Sequence, residues 1–157
     1  GFHGRSSGID PLVSFINRSV LFSPEKIELP DIKTCENDFS VFLVDTKMKS
    51  STAPLVSLFN KKMENPQFKK CFENDFLPSN NKAIRAFLKG NKQELFLQLK
   101  QISAFQLEHF AEMIPESFKN FFKNSTHNNA AVKLLGSGGG GFLLAFAENE
   151  NDLPVKK

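Results

Sequence analysis

Glycine is concentrated in one short stretch near the end of the chain. Five glycines and one serine form the run Gly136-Ser137-Gly138-Gly139-Gly140-Gly141. Glycine lets a backbone approach a ligand closely, and successive N–H groups in such a loop form a concave site for anions. The run lacks the GxxxxGK[ST] pattern of a Walker loop, and by itself it also fits a flexible hairpin or a bulge. Because the apolar segments 132–135 and 142–147 flank it, we expect a loop between two strands rather than a disordered linker.

A carboxylate near the N-terminus is the second candidate for chemistry. Asp10 follows the Gly/Ser-rich segment 4–8 and precedes Pro11. Taken alone, Asp before Pro is typical of a helix N-cap with Pro at the first helical position. The functional alternative is that the loop leaves Asp10 within reach of a substrate hydroxyl, where a carboxylate can accept or orient a proton. The residues themselves leave both interpretations open.

The elements that must position these residues occur in blocks. Short strands are predicted at residues 19–22 and 26–29, after a short helix that follows Asp10-Pro11. The apolar run 39–44 predicts a central strand, and Thr52 resembles the N-cap of a helix. Helical spacing then continues to about residue 124, before the two strands that flank the glycines. This order predicts an α+β fold, an antiparallel sheet with helices packed on one face.

Composition excludes several classes of protein. The net charge of +3 is small and dispersed, so we expect no nucleic-acid partner. Cys35 and Cys71 are far apart and form no CxxC pair, which argues against a disulfide scaffold and against a metal site. No apolar segment reaches the ~18 residues of a membrane span, and no signal peptide opens the chain. We therefore expect a cytoplasmic protein with no membrane partner.

Three segments resemble motifs of the GHMP kinases, and of mevalonate kinases in particular. His3-Gly4 and Ser7-Gly8-Ile9-Asp10 resemble HG-x-P-SG-[IV]-D, with Ser6 in place of Pro. The segment 133–141 resembles the third GHMP motif, KLTGAGGGG, with Leu135 and Ser137 as departures. The segment 44–52 resembles the strand, loop and helix start that reads DTG…SST. These segments follow the family order across nearly the whole chain.

The resemblance implies the ferredoxin-like C-terminal domain of such a kinase, as a single domain over residues 1–157. Residues 1–18 would hold the loop and helix of the catalytic Asp, and residues 19–157 the ferredoxin-like part. The enzyme would use ATP and Mg²⁺ to phosphorylate a hydroxyl, with mevalonate as the expected acceptor. The resemblance assigns catalysis to Asp10 and the phosphate-side loop to Gly136, Ser137, Gly138, Gly139 and Gly140. It assigns substrate contacts to His3, Ser7, Gly8 and Thr52, although Thr52 also fits a helix cap.

The departures from the family pattern shape the functional expectation. The ATP-cradling motif PxxxGLGSSA is absent from the sequence, and the acidic magnesium ligand of the family would precede Gly1. We therefore expect the N-terminal ATP-binding half to be missing, with neither tight ATP binding nor turnover by this chain alone. An exposed interdomain surface would favour a homodimer. The alternatives are another GHMP kinase, for phosphomevalonate or a sugar, and a non-catalytic interaction module derived from one.

Overall fold

The computed structural model describes residues 9–23, 26–31, 39–125 and 129–153, and the chain divides into two compact units, Gly1–Thr34 and Cys35–Lys157. In the first unit, helix α1 spans Ile9–Ile16. Strands β1 (Leu21–Phe22) and β2 (Ile27–Glu28) then pair antiparallel, as the sequence predicts. Helix α1 begins one residue before Asp10, so Asp10 is its second residue and not the predicted N-cap.

The second unit contains a three-stranded sheet. Its strands are β3 (Ser40–Asp45), β4 (Ala130–Leu134) and β5 (Phe142–Ala147), in the order β3-β5-β4, and β5 is antiparallel to both neighbours. Strands β3 and β4 are therefore parallel with β5 between them, which is the split βαβ arrangement. Parallel strands require a long crossover connection, and the helices between β3 and β4 supply it.

The sequence predicts a central strand at residues 39–44, and this prediction is wrong for the described sheet. Strand β5 is central, and β3 lies at the edge of the sheet. Val41 and Leu43 of β3 are 50 % and 63 % exposed, whereas the alternate residues Phe42 and Val44 pack against the core. The apolar run thus marks one buried face and one exposed apolar face, which composition alone does not separate.

Five helices and a π-helical turn form the crossover and its surroundings: α2 (Thr52–Met63), α3 (Pro66–Cys71), α4 (Leu77–Lys89), α5 (Lys92–His109), α6 (Lys119–Ser125) and the π turn Phe72–Phe76. Pro78 is the second residue after the π turn, which ends at Phe76. Proline has no N–H and its ring collides with the carbonyl four residues earlier in an α-helix, so a widened turn before Pro78 relieves that conflict. The remaining described elements are short 3-10 turns at Ala111–Met113, Glu116–Phe118 and Glu150–Asp152.

The helices bury alternate residues of the sheet. Val132, Leu134, Leu143 and Ala145 share one face and pack against phenylalanines of the helical layer, among them Phe105, Phe110 and Phe122. The chain has 18 Phe residues and neither Trp nor Tyr, so no phenol or indole requires a buried hydrogen-bond partner. A second cluster buries Ala131 and Phe146, from the opposite sheet face, against α4 and α5. The predicted α+β fold with an antiparallel sheet is confirmed.

Helix α5 also covers the outer edge of β4. The Ser103 hydroxyl donates a hydrogen bond to the carbonyl oxygen of Val132. The N–H of Leu134 donates to Gln106 Oε1 at 2.9 Å. An uncovered strand edge presents free backbone groups to other chains, and these two side chains occupy them. The same contacts fix Gln106 beside the start of the glycine run.

Candidate functional site

The glycine run forms the connection between β4 and β5, as predicted. Gly138 has φ +76° and Gly140 has φ +155°, backbone angles that residues other than glycine rarely adopt. A Cβ atom at Gly138 would lie 2.6 Å from the carbonyl oxygen of Met113, and one at Gly140 would lie 2.7 Å from that of Met48. Backbone conformation and close approach therefore both require glycine at these two positions.

A polar loop after β3 holds the glycine run in place. Thr46, which is 5 % exposed, donates from Oγ1 to the carbonyl oxygen of Gly141 at 2.8 Å. The N–H of Gly141 donates to the carbonyl oxygen of Met48 at 2.8 Å, and Ser50 Oγ donates to that of Gly138 at 2.6 Å. The structure thus brings the 44–52 segment and the glycine run together.

Contacts from two further segments fix the middle of the run. The N–H of Gly139 donates to the carbonyl oxygen of Met113 at 2.6 Å. The side chain of Leu55 occupies the space beside Gly139 that a Cβ would need, with Cδ1 only 2.6 Å from that position. Contacts from three separate segments therefore determine the loop conformation, and little reorganisation is needed for it to present its backbone to a ligand.

Several N–H groups of the loop remain available. The N–H groups of Gly139 and Gly141 are engaged, but those of Gly136, Ser137, Gly138 and Gly140 donate no hydrogen bond to another described residue. Gly138 and Gly140 are buried, whereas Gly136 is exposed and Ser137 is half-buried, so a ligand can reach the 136–137 end of the loop. Free N–H groups on a glycine-rich turn form the kind of concavity that binds anions.

Two charged residues flank the loop within the sheet. Lys133 is largely buried, and its Nζ donates to the carbonyl oxygen of Leu134 at 2.9 Å. Burial lowers the pKa of Lys133 because it disfavours the charged ammonium group. Asp45 accepts hydrogen bonds from the Nζ and the N–H of Lys47, and the side-chain bond is the main cause of its lowered pKa. Asp45 is therefore already paired with a cation.

The sequence-predicted site residues have different outcomes. His3, Ser7 and Gly8 lie outside the described residues, and for Asp10 only the backbone in α1 is described, within the first unit. Thr52 is exposed and is the first residue of α2, so its predicted role as N-cap is wrong.

The position that would cap α2 belongs to Ser51, whose side chain makes no cap hydrogen bond. Sequence analysis missed Thr46 and Ser50, the two hydroxyl groups that do organise the site. Their only local signal is their position in the short polar segment between an apolar strand and a helix.

The described residues do not form a cation site. No group of three or more His, Cys, Asp or Glu side chains among them is arranged to hold a metal ion. The described residues therefore do not supply a complete set of protein ligands for a metal ion by themselves. Within the same residues, no helix is both long and apolar enough to cross a membrane.

Comparison with known proteins identifies a structural relative only at the level of the fold. No protein-family model matches the sequence, and no curated protein matches it. The chain is similar in structure to phosphomevalonate kinase from Streptococcus pneumoniae, a GHMP kinase solved in complex with phosphomevalonate and AMPPNP. The TM-score is 0.65 at 14 % sequence identity, over 81 % of this chain and 36 % of that kinase. The chain therefore has the fold of a GHMP kinase domain and matches about a third of that kinase's length.

Proposed function

We propose that this chain is the C-terminal part of an ATP-dependent kinase that phosphorylates a small molecule, with the glycine run as a phosphate-side loop. The observation that carries the proposal is the loop itself. Its conformation is fixed by Thr46, Ser50 and Met113, while the N–H groups of Gly136 and Ser137, at its accessible end, have no acceptor among the described residues.

This geometry suits phosphoryl transfer, in which the protein mainly positions the reactants and stabilises negative charge. Fixed N–H donors stabilise developing charge without reorganisation at the moment of reaction. The accessible N–H groups of Gly136 and Ser137 would face phosphate oxygens, while the close contacts of Gly138, Gly139 and Gly140 hold the loop against its supports. ATP is the proposed phosphoryl donor, and the similar kinase was solved with the ATP analogue AMPPNP.

The remaining assignments follow from the resemblance of the sequence to the GHMP motifs. Asp10 is the proposed catalytic carboxylate, which accepts or orients the proton of the acceptor hydroxyl. His3, Ser7 and Gly8 are proposed to contact the substrate. Thr52 joins them on one additional ground: its exposed hydroxyl does not cap α2 and is free to contact a ligand.

We propose mevalonate as the acceptor, because the His3–Asp10 segment resembles that of mevalonate kinases. Phosphomevalonate is the second candidate, since the structurally similar kinase was solved with that compound. A cytoplasmic location belongs to the same proposal, because it would place the protein with its proposed substrates.

A non-catalytic interaction module is the competing function. One face of the sheet exposes apolar side chains, with Val41, Leu43 and Phe142 about half exposed or more. This exposed apolar face supports the proposed homodimer. Light scattering after size exclusion tests the dimer, and a monomer at high protein concentration would contradict it.

An amide-resolved titration tests the loop assignment. The ¹⁵N-labelled chain is titrated with MgATP and, separately, with pyrophosphate, with sodium chloride at matched ionic strength as the control. We expect the amide signals of Gly136 and Ser137, whose N–H groups are accessible and unbonded, to shift more than those of Gly139 and Gly141, whose N–H groups are already bonded. Equal shifts throughout the run, or none, would favour the interaction module.

An activity measurement tests the rest of the proposal. ADP release is followed with MgATP and either mevalonate or phosphomevalonate, with Asp10→Ala as the matched variant. We expect no turnover by this chain alone and loop shifts in the titration, which together indicate part of a kinase site. Turnover that Asp10→Ala abolishes would show instead that the chain carries a complete site, and the preferred acceptor would then decide between the two candidates.

A further inference from the structure

A cavity of about 240 Å³ lies beside the glycine run in the second unit. Its walls are largely apolar and include the four aromatic rings of Phe59, Phe72, Phe76 and Phe110. Gly136 and Ser137 line the end that meets the glycine run. The cavity is thus an apolar space with a polar rim, which is the usual composition of a small-molecule site.

The π turn gives this cavity part of its shape. Phe72 and Phe76 are the first and last residues of the turn, and their rings stack with centroids 5.0 Å apart and an interplanar angle of 16°. A π turn is wider than an α turn, so it displaces the chain and moves these rings relative to a regular helix. Single π turns within helices occur often at functional sites.

Gln106 supplies a directed donor inside this apolar lining. It is 5 % exposed, and its Oε1 accepts the hydrogen bond from the N–H of Leu134 at 2.9 Å. That bond fixes the orientation of the amide, because the reverse assignment would place two N–H groups against each other. The Nε2 group then donates to no described residue, although Gln106 lines the cavity. Among the described residues, Gln106 Nε2 is not one of the fully buried polar atoms that lack a partner, so it is accessible from the cavity and available to an acceptor on a bound molecule.

Size and charge restrict what can bind. The cavity exceeds the ~150 Å³ that accommodates benzene in an apolar protein core, and it is smaller than the ~300 Å³ lower bound of drug-sized pockets. A whole nucleotide therefore does not fit. No Lys, Arg, His, Asp or Glu is among the residues that line the cavity. A buried carboxylate or phosphate would lack a counter-ion there, so the buried group must be neutral.

We infer that this cavity binds a small neutral molecule, or a neutral group of a larger one, with an apolar body about the size of one ring. A hydroxyl or carbonyl oxygen of that ligand accepts a hydrogen bond from Gln106 Nε2. The inference goes beyond the proposed kinase activity, since it requires neither ATP nor Asp10.

Two matched probes test the site by NMR on the full chain. Benzyl alcohol offers a ring and a hydroxyl, whereas toluene offers the same ring without the hydroxyl. We expect benzyl alcohol to shift the methyl signals of Leu55, Val56 and Met113, which line the cavity. We also expect it to bind at least as tightly as toluene, because Gln106 compensates for burial of the hydroxyl. A preference for toluene of about fivefold or more would show a hydroxyl buried without a partner and would overturn the role of Gln106.

A pair of variants tests the location. Val56 lines the cavity and is 45 % exposed, so Val56→Trp fills the entrance at little risk to the fold. Leu97→Trp is the control, because Leu97 is 52 % exposed on α5 and is not among the lining residues. We expect Val56→Trp to weaken benzyl alcohol binding about tenfold or more and Leu97→Trp to leave it unchanged. Equal binding by both variants, or an absence of methyl shifts in the wild type at millimolar probe, would refute the site.

Discussion

The replacement Gly138→Ala tests whether the glycine run is held as tightly as its contacts indicate. Gly138 is buried at φ +76°, and a Cβ would lie 2.6 Å from the carbonyl oxygen of Met113 and 3.1 Å from Leu134 Cδ2. The left-handed conformation costs an alanine about 1 to 2 kcal/mol. Overpacking adds about 1 to 3 kcal/mol because a backbone oxygen cannot move aside like a flexible side chain. We therefore expect the free energy of unfolding to fall by about 2 to 5 kcal/mol.

The matched control for this prediction is Gly136→Ala. Gly136 has φ +65° but no heavy atom within 4 Å of the Cβ position, so only the conformational cost of about 1 to 2 kcal/mol applies. Urea unfolding followed by circular dichroism measures both variants, with the midpoint and slope compared to the wild type. If Gly138→Ala is no more destabilising than Gly136→Ala, the close contact with Met113 does not hold the loop, and the reasoning is wrong.

Two further predictions concern residues around the loop. Thr46→Val removes the buried hydroxyl that bonds Gly141, so urea unfolding should show a loss of about 1 to 3 kcal/mol, whereas Thr46→Ser should recover most of it. Burial lowers the pKa of Lys133 in the folded chain, so the unfolded chain binds more protons as the pH rises from that lowered value towards 10.5. The free energy of unfolding of the wild type should therefore rise over that pH range relative to that of the Lys133→Met variant. The difference in the free energy of unfolding between the wild type and Lys133→Met is measured by urea unfolding at increasing alkaline pH. If this difference does not narrow as the pH rises, the burial of Lys133 is contradicted.

Local patterns predicted much of the fold. The strands beside the glycine run and the helical region after Thr52 are present, because each depends on spacing within one short segment. The predicted cap role of Thr52 is wrong for a local reason. The helix begins at Thr52 and its N-cap position belongs to Ser51, one residue earlier than the pattern suggests. Helix ends depend on one or two hydrogen bonds and are the least determined part of an element.

Only part of the candidate site could be predicted from the sequence. The glycine run could be identified, because a dense run of glycines marks positions where the backbone conformation or a close approach excludes side chains. Thr46 and Ser50 could not be identified from the sequence, because their partners Gly141 and Gly138 are 95 and 88 residues away in the chain. The donor of Gln106 was hidden for the same reason: its orientation depends on a bond to Leu134 across 28 residues.

The sequence by itself determined which segments become strands and helices and that a glycine-rich loop joins β4 to β5. These are consequences of side-chain periodicity and of the φ angles that glycine alone tolerates. Only the tertiary structure decided that β5 lies between β3 and β4, that α5 covers the β4 edge, and that two rings of the π turn line a cavity beside the loop. Strand order and cavity shape arise from contacts between residues distant in the chain, and no short window of sequence contains both partners of such a contact.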